Sequence, residues 1–187
     1  MINCPEYFFL NLYENKSSNR KQLTPAPKIM YYDGITLFTG PKPPGKEPFL
    51  LHTVNYTIPS PRLPEGFHGF RVVHLSDLHG AVFGDNNKFL IHRIGQARPH
   101  IIAMTGDMAD DDRASLANLT SLADRLADRW PVYYIPGNHE QALSAARFLG
   151  LAKKLESLGV TVLENNWVTL SRRGSFVKLY GLTMAMK

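Results

Sequence analysis

Cysteine is nearly absent from this chain, which has Cys4 and no other among its 187 residues. An intrachain disulfide and a thiolate-ligated metal site are therefore excluded. The sequence also has no stretch of about 18 consecutive apolar residues, so no membrane-spanning helix is predicted. Its start lacks the basic segment and the small-residue cleavage site of a secretion signal. We therefore expect a cytoplasmic protein, for which peripheral contact with a membrane is compatible with the sequence.

Long basic runs are also absent. Lys and Arg number 21 against 16 Asp and Glu, a formal net charge of +5, but no basic run exceeds two residues. Because nucleic-acid-binding proteins concentrate positive charge in a patch or stripe, this scatter favours a solvated surface, and no specific nucleic-acid partner is predicted. A non-enzymatic nucleic-acid binder stays as an alternative hypothesis, which salt-sensitive binding that is indifferent to chelators would support.

Proline is scarce in most of the chain, since ten of its thirteen prolines lie at or before Pro64. Residues 1–48 are predicted to form an irregular or disordered Pro-rich leader. Residues 49–187 are predicted to form one folded domain, in which the first strand runs from Leu50 to Ile58.

Three short polar motifs each follow an apolar run. The runs Phe70 to Leu75, Ile101 to Met104 and Val132 to Ile135 are typical of buried parallel strands. Such strands end at one common edge of an open sheet, so we expect the polar side chains to meet there. The motifs are, in order, Asp77-Leu78-His79, Gly106-Asp107-Met108-Ala109-Asp110 and Gly137-Asn138-His139-Glu140.

The residue types in these motifs predict a dinuclear metal site. Carboxylates, imidazoles and a carboxamide oxygen suit divalent ions such as Zn, Mn or Fe. Asp77 and His79 can converge on one ion where their strand ends, and the two oxygens of Asp107 can bridge two ions. Ions about 4 Å apart would share a water, lower its pKa and stabilise both oxygens of an in-line phosphoryl displacement.

In this order, the three motifs resemble those of the calcineurin-like metallophosphoesterase superfamily, D-x-H, GDxxD and GNH[DE]. The resemblance implies an α/β sandwich of two mixed sheets flanked by helices. It also implies that Asp77 and His79 hold the first of two divalent metal ions, that Asp107 bridges them, and that Asn138 holds the second.

The same resemblance implies the catalytic residues and the reaction. His139 resembles the family's catalytic histidine, which contacts the scissile phosphate, and Asp110 resembles the carboxylate that orients it. Asp110 as a mere helix cap is the weaker alternative. The implied function is a metal-dependent phosphoesterase of the phosphodiesterase type with a phosphoester substrate of unidentified chemistry. Protein serine/threonine phosphatases are disfavoured, because Asp111 stands where their second motif continues with an arginine.

The chain also departs from the family pattern. The family's three further histidine ligands have no counterpart, because His139 is the last of the seven histidines, and His74 is expected to be a core or edge residue. We therefore expect a C-terminally incomplete domain, ending part-way through its second sheet, and no membrane anchor ahead of the first strand. The alternative function is a catalytically incomplete fragment or pseudoenzyme, with weak metal binding and little hydrolysis.

The remaining pattern predicts the elements between and after the motifs. Asp111 and Asp112 are expected to be charges at a helix N-terminus, and Glu140 a residue that starts a helix rather than a ligand. A hairpin is expected around Arg172-Arg173-Gly174. The predicted helices are Lys88 to Ala97, capped by Asn86 or Asn87, a second from about Leu116 to Arg129, and Gln141 to Leu158, and the predicted late strands are Val160 to Leu163, Trp167 to Leu170 and Phe176 to Leu179.

Overall fold

The main sheet is mixed and has six strands in the computed structural model, which describes residues 28–38 and 50–183. The strands β1 and β2 pair antiparallel, whereas every pairing from β1 onward in the order β2-β1-β3-β4-β5-β6 is parallel. Parallel neighbours require crossover connections, and those that join β3, β4, β5 and β6 carry the helices. The strands are β1 (Lys28–Phe38), β2 (Leu50–Ser60), β3 (Arg71–Leu75), β4 (Ile101–Thr105), β5 (Val132–Ile135) and β6 (Thr161–Val162).

Helices cover one face of this sheet. The helix α1 (Lys88–Ala97) follows β3, and α2 (Arg113–Ala127) follows β4. A short helix, α3 (Asn138–Gln141), and a longer one, α4 (Ala145–Ser157), follow β5. The main core lies between these helices and the sheet, because the apolar stripe of each long helix is buried against one face of the strands. This core includes Val73, Leu75, Leu90, Ile94, Leu119, Leu126 and Leu155.

The other face of the sheet is covered by a hairpin of β7 (Asn166–Arg172) and β8 (Ser175–Gly181). Alternate residues of a strand point to opposite faces, so Val72 lies in this second core whereas Val73 lies in the first. The second core also contains Phe67, Phe70, Ile101, Leu170, Val177 and Leu179. The described chain thus has three layers, in which helices and a two-stranded sheet sandwich the main sheet.

Most elements around the motifs confirm the sequence-based predictions. The three motif-bearing strands, α1, α2 and the hairpin turn at residues 172–174 lie where they were expected, within about three residues at each end. The prediction of a strand at Val160 to Leu163 is confirmed for a shorter segment, β6. Asn87 precedes α1 but does not cap it, because its Oδ1 accepts a hydrogen bond from the Phe83 N–H instead.

The predicted irregular leader is wrong at residues 28–38, which form β1. This segment is rich in β-branched and aromatic residues, and its pairing with β2 and β3 provides the partners that a strand needs. As a result β2 lies at the sheet edge, and β1 separates it from β3. The other leader residues, 1–27 and 39–48, lie outside the described chain.

The prediction of one helix from Gln141 to Leu158 is also wrong. The chain leaves the helical conformation between α3 and α4, where Leu143 is buried in the main core and Ser144 is extended, with φ −58° and ψ 149°. Burial of Leu143 and the separate anchoring of α3 beside the motifs explain the break. Within the described residues, no helix combines the length and the apolar character needed to cross a membrane.

Candidate metal centre

The three motifs lie side by side at the carboxyl ends of β3, β4 and β5. Backbone hydrogen bonds join the first loop to the second, because the N–H groups of Asp77, His79 and Gly80 donate to three successive carbonyls of residues 106–108 over 2.8–3.1 Å. The loops therefore form one continuous surface rather than three independent connections.

Three of the predicted ligands have a left-handed backbone. The φ angles are 56° at Asp77, 47° at His79 and 49° at Asp107. For residues with a Cβ this conformation costs about 1–2 kcal/mol each. Such strain persists where surrounding contacts determine the backbone, and it is frequent at functional sites.

Two groups of side chains have the geometry to hold a metal ion. In the first, one ligand atom each from Asp77, His79 and Asp107 lies within 4.8 Å of the others. In the second, His79, Asp110 and His139 meet the same criterion. Asp77, His79 and His139 are exposed, so the centre is open to solvent and to a dissolved substrate. Two carboxylates and an imidazole are a donor set that suits a borderline divalent ion.

Asn138, the predicted ligand of a second ion, lies against Asp107. With its amide nitrogen turned toward that carboxylate, it donates to Oδ1 over 3.2 Å and to Oδ2 over 2.9 Å. The backbone N–H of His139 also donates to Oδ1 of Asp107, over 3.0 Å. The second and third motifs thus meet at the Asp107 carboxylate.

Asp110 contacts both histidines. Its Oδ1 lies 2.8 Å from Nδ1 of His79 and 2.9 Å from Nδ1 of His139. The hydrogen bond and the positive charge that His79 can carry lower the pKa of Asp110, with His139 adding to this effect. Partial burial acts to lower the pKa of His79, but the hydrogen bond and charge of Asp110, with the charges of Asp107 and Asp77, raise it overall. In both rings Nε2 is the nitrogen left for another partner.

The structure therefore brings all six predicted site residues together. The roles assigned to them stay predictions, but their side chains share one surface at the sheet edge. Asp112 caps α2 as expected, since its Oδ1 accepts from the Ser115 N–H over 2.9 Å. Asp111, which precedes it, instead pairs with the Arg147 guanidinium of α4 through its side chain and its carbonyl.

His74 lies beside the centre but not in it, as expected. Its Nε2 meets the hydroxyl of Thr105 on the neighbouring strand β4. Burial lowers the pKa of this imidazole from 6.5 to about 4, although the charge of Asp77 acts to raise it. His74 is consequently neutral near pH 7.

Three supporting residues were missed or undervalued at the sequence level. Glu140 starts α3, as predicted, but its side chain is 0% exposed and accepts backbone hydrogen bonds from the second motif. Ser115 accepts from the Asp110 N–H over 2.8 Å, and Asn118 donates to the Gly80 carbonyl over 2.9 Å. The available signal for Ser115 was its position four residues before Leu119, which places a polar residue on the apolar face of α2.

Tyr134 adds a further polar group behind the loops. Its hydroxyl is buried near the Glu140 carboxylate, and no group of the described chain meets it at full hydrogen-bond geometry. Burial raises the pKa of this phenol well above its usual value, and the negative charges of Glu140 and Asp107 act in the same direction.

Comparisons with known proteins find metallophosphoesterases among the curated relatives of this chain. Among curated proteins, the chain is 31% identical over 130 residues to the uncharacterized metallophosphoesterase YkuE of Bacillus subtilis (strain 168), covering 67% of this chain and 44% of that protein. It is 26% identical over 121 residues to a "Transmembrane protein with metallophosphoesterase domain" of Danio rerio, covering 64% of this chain and 27% of the relative. The chain thus spans less than half the length of these relatives.

Among solved structures, the chain is similar to the phosphopantetheinyl hydrolase PptH of Mycobacterium tuberculosis, at a TM-score of 0.40 and 21% identity, covering 59% of this chain and 41% of that one. The sequence model of one family, described as calcineurin-like phosphoesterase, matches residues 70–183, which include all three motifs and the elements that support them. This chain therefore belongs to the calcineurin-like phosphoesterase family.

Proposed function

We propose that this centre is the metal-binding part of a phosphoesterase of the phosphodiesterase type. Asp77 and His79 would hold one divalent ion, Asp107 would contact both ions, and Asn138 would hold the second. The observation that carries the proposal is the convergence of ligand atoms from Asp77, His79 and Asp107 within 4.8 Å, at loops that are far apart in sequence.

The residues fit a divalent cation on electrostatic grounds. Asp77 and Asp107 place two carboxylates in one small site, where like charges repel each other and a cation relieves that repulsion. Asn138 can turn its amide so that the oxygen, rather than the nitrogen, faces a cation next to Asp107. When bound, divalent ions supply Lewis-acid stabilisation of phosphoryl oxygens and make water more acidic.

The protein's own groups would orient the substrate and move protons. Asp110 holds Nδ1 of His139 over 2.9 Å, which fixes the ring and leaves its Nε2 to donate a proton to the leaving oxygen of a phosphoester. Asp110 binds His79 in the same way, so one carboxylate orients a proposed ligand and the proposed acid together. The exposed position of both rings gives a phosphoester direct access from solvent.

Manganese binding tests the proposal directly. The full chain, stripped of metal with a chelator, would be titrated with MnCl₂ by calorimetry, alongside Asp107→Asn and the control Asp128→Asn, an exposed position at the end of α2. We expect the wild type and the control to bind Mn²⁺ alike, and Asp107→Asn to bind at least about tenfold more weakly. Equal binding by all three proteins would contradict the proposal.

Hydrolysis of bis-p-nitrophenyl phosphate is the matching activity assay. Any turnover is expected to need added metal and to disappear in Asp107→Asn but not in Asp128→Asn. Turnover that is unaffected by chelation and by Asp107→Asn would place the activity elsewhere.

One observation favours the incomplete centre as a second candidate. Both three-residue groups within the described chain include His79, so these residues do not provide two independent shells. A second ion held by Asp107 and Asn138 would have few protein ligands, and the chain by itself would then bind it weakly and hydrolyse slowly. Two tight manganese sites, together with turnover that Asp107→Asn abolishes, would refute this candidate.

A further inference from the structure

Glu140 accepts hydrogen bonds from four backbone N–H groups in two motifs. Its Oε1 accepts from Met108 over 2.7 Å and from Ala109 over 3.0 Å. Its Oε2 accepts from Asp107 over 3.0 Å and from Gly137 over 2.9 Å. Hydrogen bonds from backbone N–H groups to a carboxylate are stronger than those between neutral groups, and burial strengthens them further.

The peptide segment 106–109 transmits this constraint to the first motif. While its N–H groups point to Glu140, the carbonyls of residues 106–108 accept from Asp77, His79 and Gly80 over 2.8–3.1 Å. One side of the segment is thus held by the third motif, and the other side holds the first. Glu140 thus contacts the N–H groups of this segment but not the N–H groups of the first motif.

We infer that Glu140 is a positioning residue, which fixes the three ligand-bearing loops relative to one another through segment 106–109. Asp107 has a left-handed backbone with φ 49°, and the hydrogen bond from its N–H to Glu140 helps to hold that conformation. The consequence for metal binding rests on the proposed function, whereas the consequence for loop geometry does not.

Replacing Glu140 with glutamine tests the role of the second oxygen. Glutamine keeps the length and volume of the side chain, but its amide nitrogen would face two N–H donors in whichever orientation it adopted. Glu156→Gln, at an exposed position on α4, is the matched control. Leu126→Ala, in the main core, is a second control that lowers stability without touching the loops.

The first measurement is amide hydrogen exchange by NMR in the metal-free full chain. We expect the amides of His79 and Gly80, which do not contact Glu140, to exchange at least about tenfold faster in Glu140→Gln and to be unchanged in Glu156→Gln. The second measurement is Mn²⁺ affinity, which we expect to fall roughly 10–100-fold in Glu140→Gln. Both are to be compared with Leu126→Ala at matched loss of thermal stability.

Unchanged exchange at His79 and Gly80 in a folded Glu140→Gln would overturn the inference, as would equal effects in Leu126→Ala. If the wild type binds no Mn²⁺, the proposed function fails, and the exchange measurement still decides the role of Glu140. If Glu140→Gln does not fold, Glu140→Asp, which keeps both oxygens on a shorter side chain, replaces it. If neither folds, slow exchange of amides 107–109 in the wild type supports the inference, and exchange as fast as in exposed loops overturns it.

Discussion

Acidification should destabilise this protein through His74. Burial lowers the pKa of its imidazole from 6.5 to about 4, against the opposing charge of Asp77. As the pH falls below 6.5, the unfolded chain takes up a proton that the folded chain does not accept until about pH 4. The contribution of His74 is therefore complete above the unfolded pKa and is lost progressively as the pH falls toward the folded pKa.

The size of this effect follows from the difference between the two pKa values. A shift of one pKa unit corresponds to about 1.4 kcal/mol, so the lost free energy of unfolding reaches ~2 kcal/mol at pH 5 and ~3 kcal/mol at pH 4. Because single domains are stable by about 5–15 kcal/mol in total, this loss is a large fraction of the whole.

Urea unfolding followed by circular dichroism measures this loss. Wild type, His74→Gln and the control His92→Gln, at an exposed position on α1, would be compared at several values between pH 7 and pH 4 with a chelator present. Other acid-sensitive groups, such as Asp110, are common to all three proteins and cancel in the differences. His74→Gln should lose about 3 kcal/mol less than the wild type over this range. Parallel losses in wild type and His74→Gln would refute the reasoning.

Three further predictions concern stability at neutral pH and use the same urea assay. Asp112→Ala removes the cap that accepts from the Ser115 N–H and should lower the free energy of unfolding by about 1 kcal/mol. The control Asp124→Ala, at an exposed position within α2, should lower it much less, and equal losses in the two variants would contradict the capping role. Gly150→Ala should raise the free energy of unfolding by about 0.5–1 kcal/mol, because this helical position is exposed and a Cβ there meets nothing within 4 Å. A lower free energy of unfolding in this variant would contradict the prediction. Tyr134→Phe should change stability by less than about 1 kcal/mol, since no group of the described chain meets its buried hydroxyl at full hydrogen-bond geometry, and a larger loss would contradict this reasoning.

The centre itself was accessible to sequence reasoning because its residues follow buried strands. A largely apolar run of four to six residues identifies such a strand locally, and parallel strands must end at a common edge. Asp77, Asp107 and Asn138 could therefore be grouped without knowledge of any contact. The pairing of Asp110 with His139 was implied by the family resemblance rather than by this logic. The structure places Oδ1 of Asp110 2.9 Å from Nδ1 of His139, and the roles assigned to the two residues stay predictions.

The supporting residues were less accessible, because their partners are backbone groups distant in sequence. Glu140 has the pattern of an ordinary helix start, and only the position of segment 106–109 shows what its carboxylate binds. Ser115 and Asn118 are likewise ordinary residues of an amphipathic helix until Asp110 and Gly80 are placed beside them.

By itself the sequence determined the strands that carry the motifs, the residues that meet at their ends, and the family. These depend on local apolar patterns and on short motifs, which act over a few residues. Tertiary structure alone decided that residues 28–38 enter the sheet beside β3, that the helix after the third motif breaks at Leu143, and that Glu140 is buried. Each of these outcomes depends on hydrogen bonds or burial between segments far apart in the chain, which no local pattern encodes.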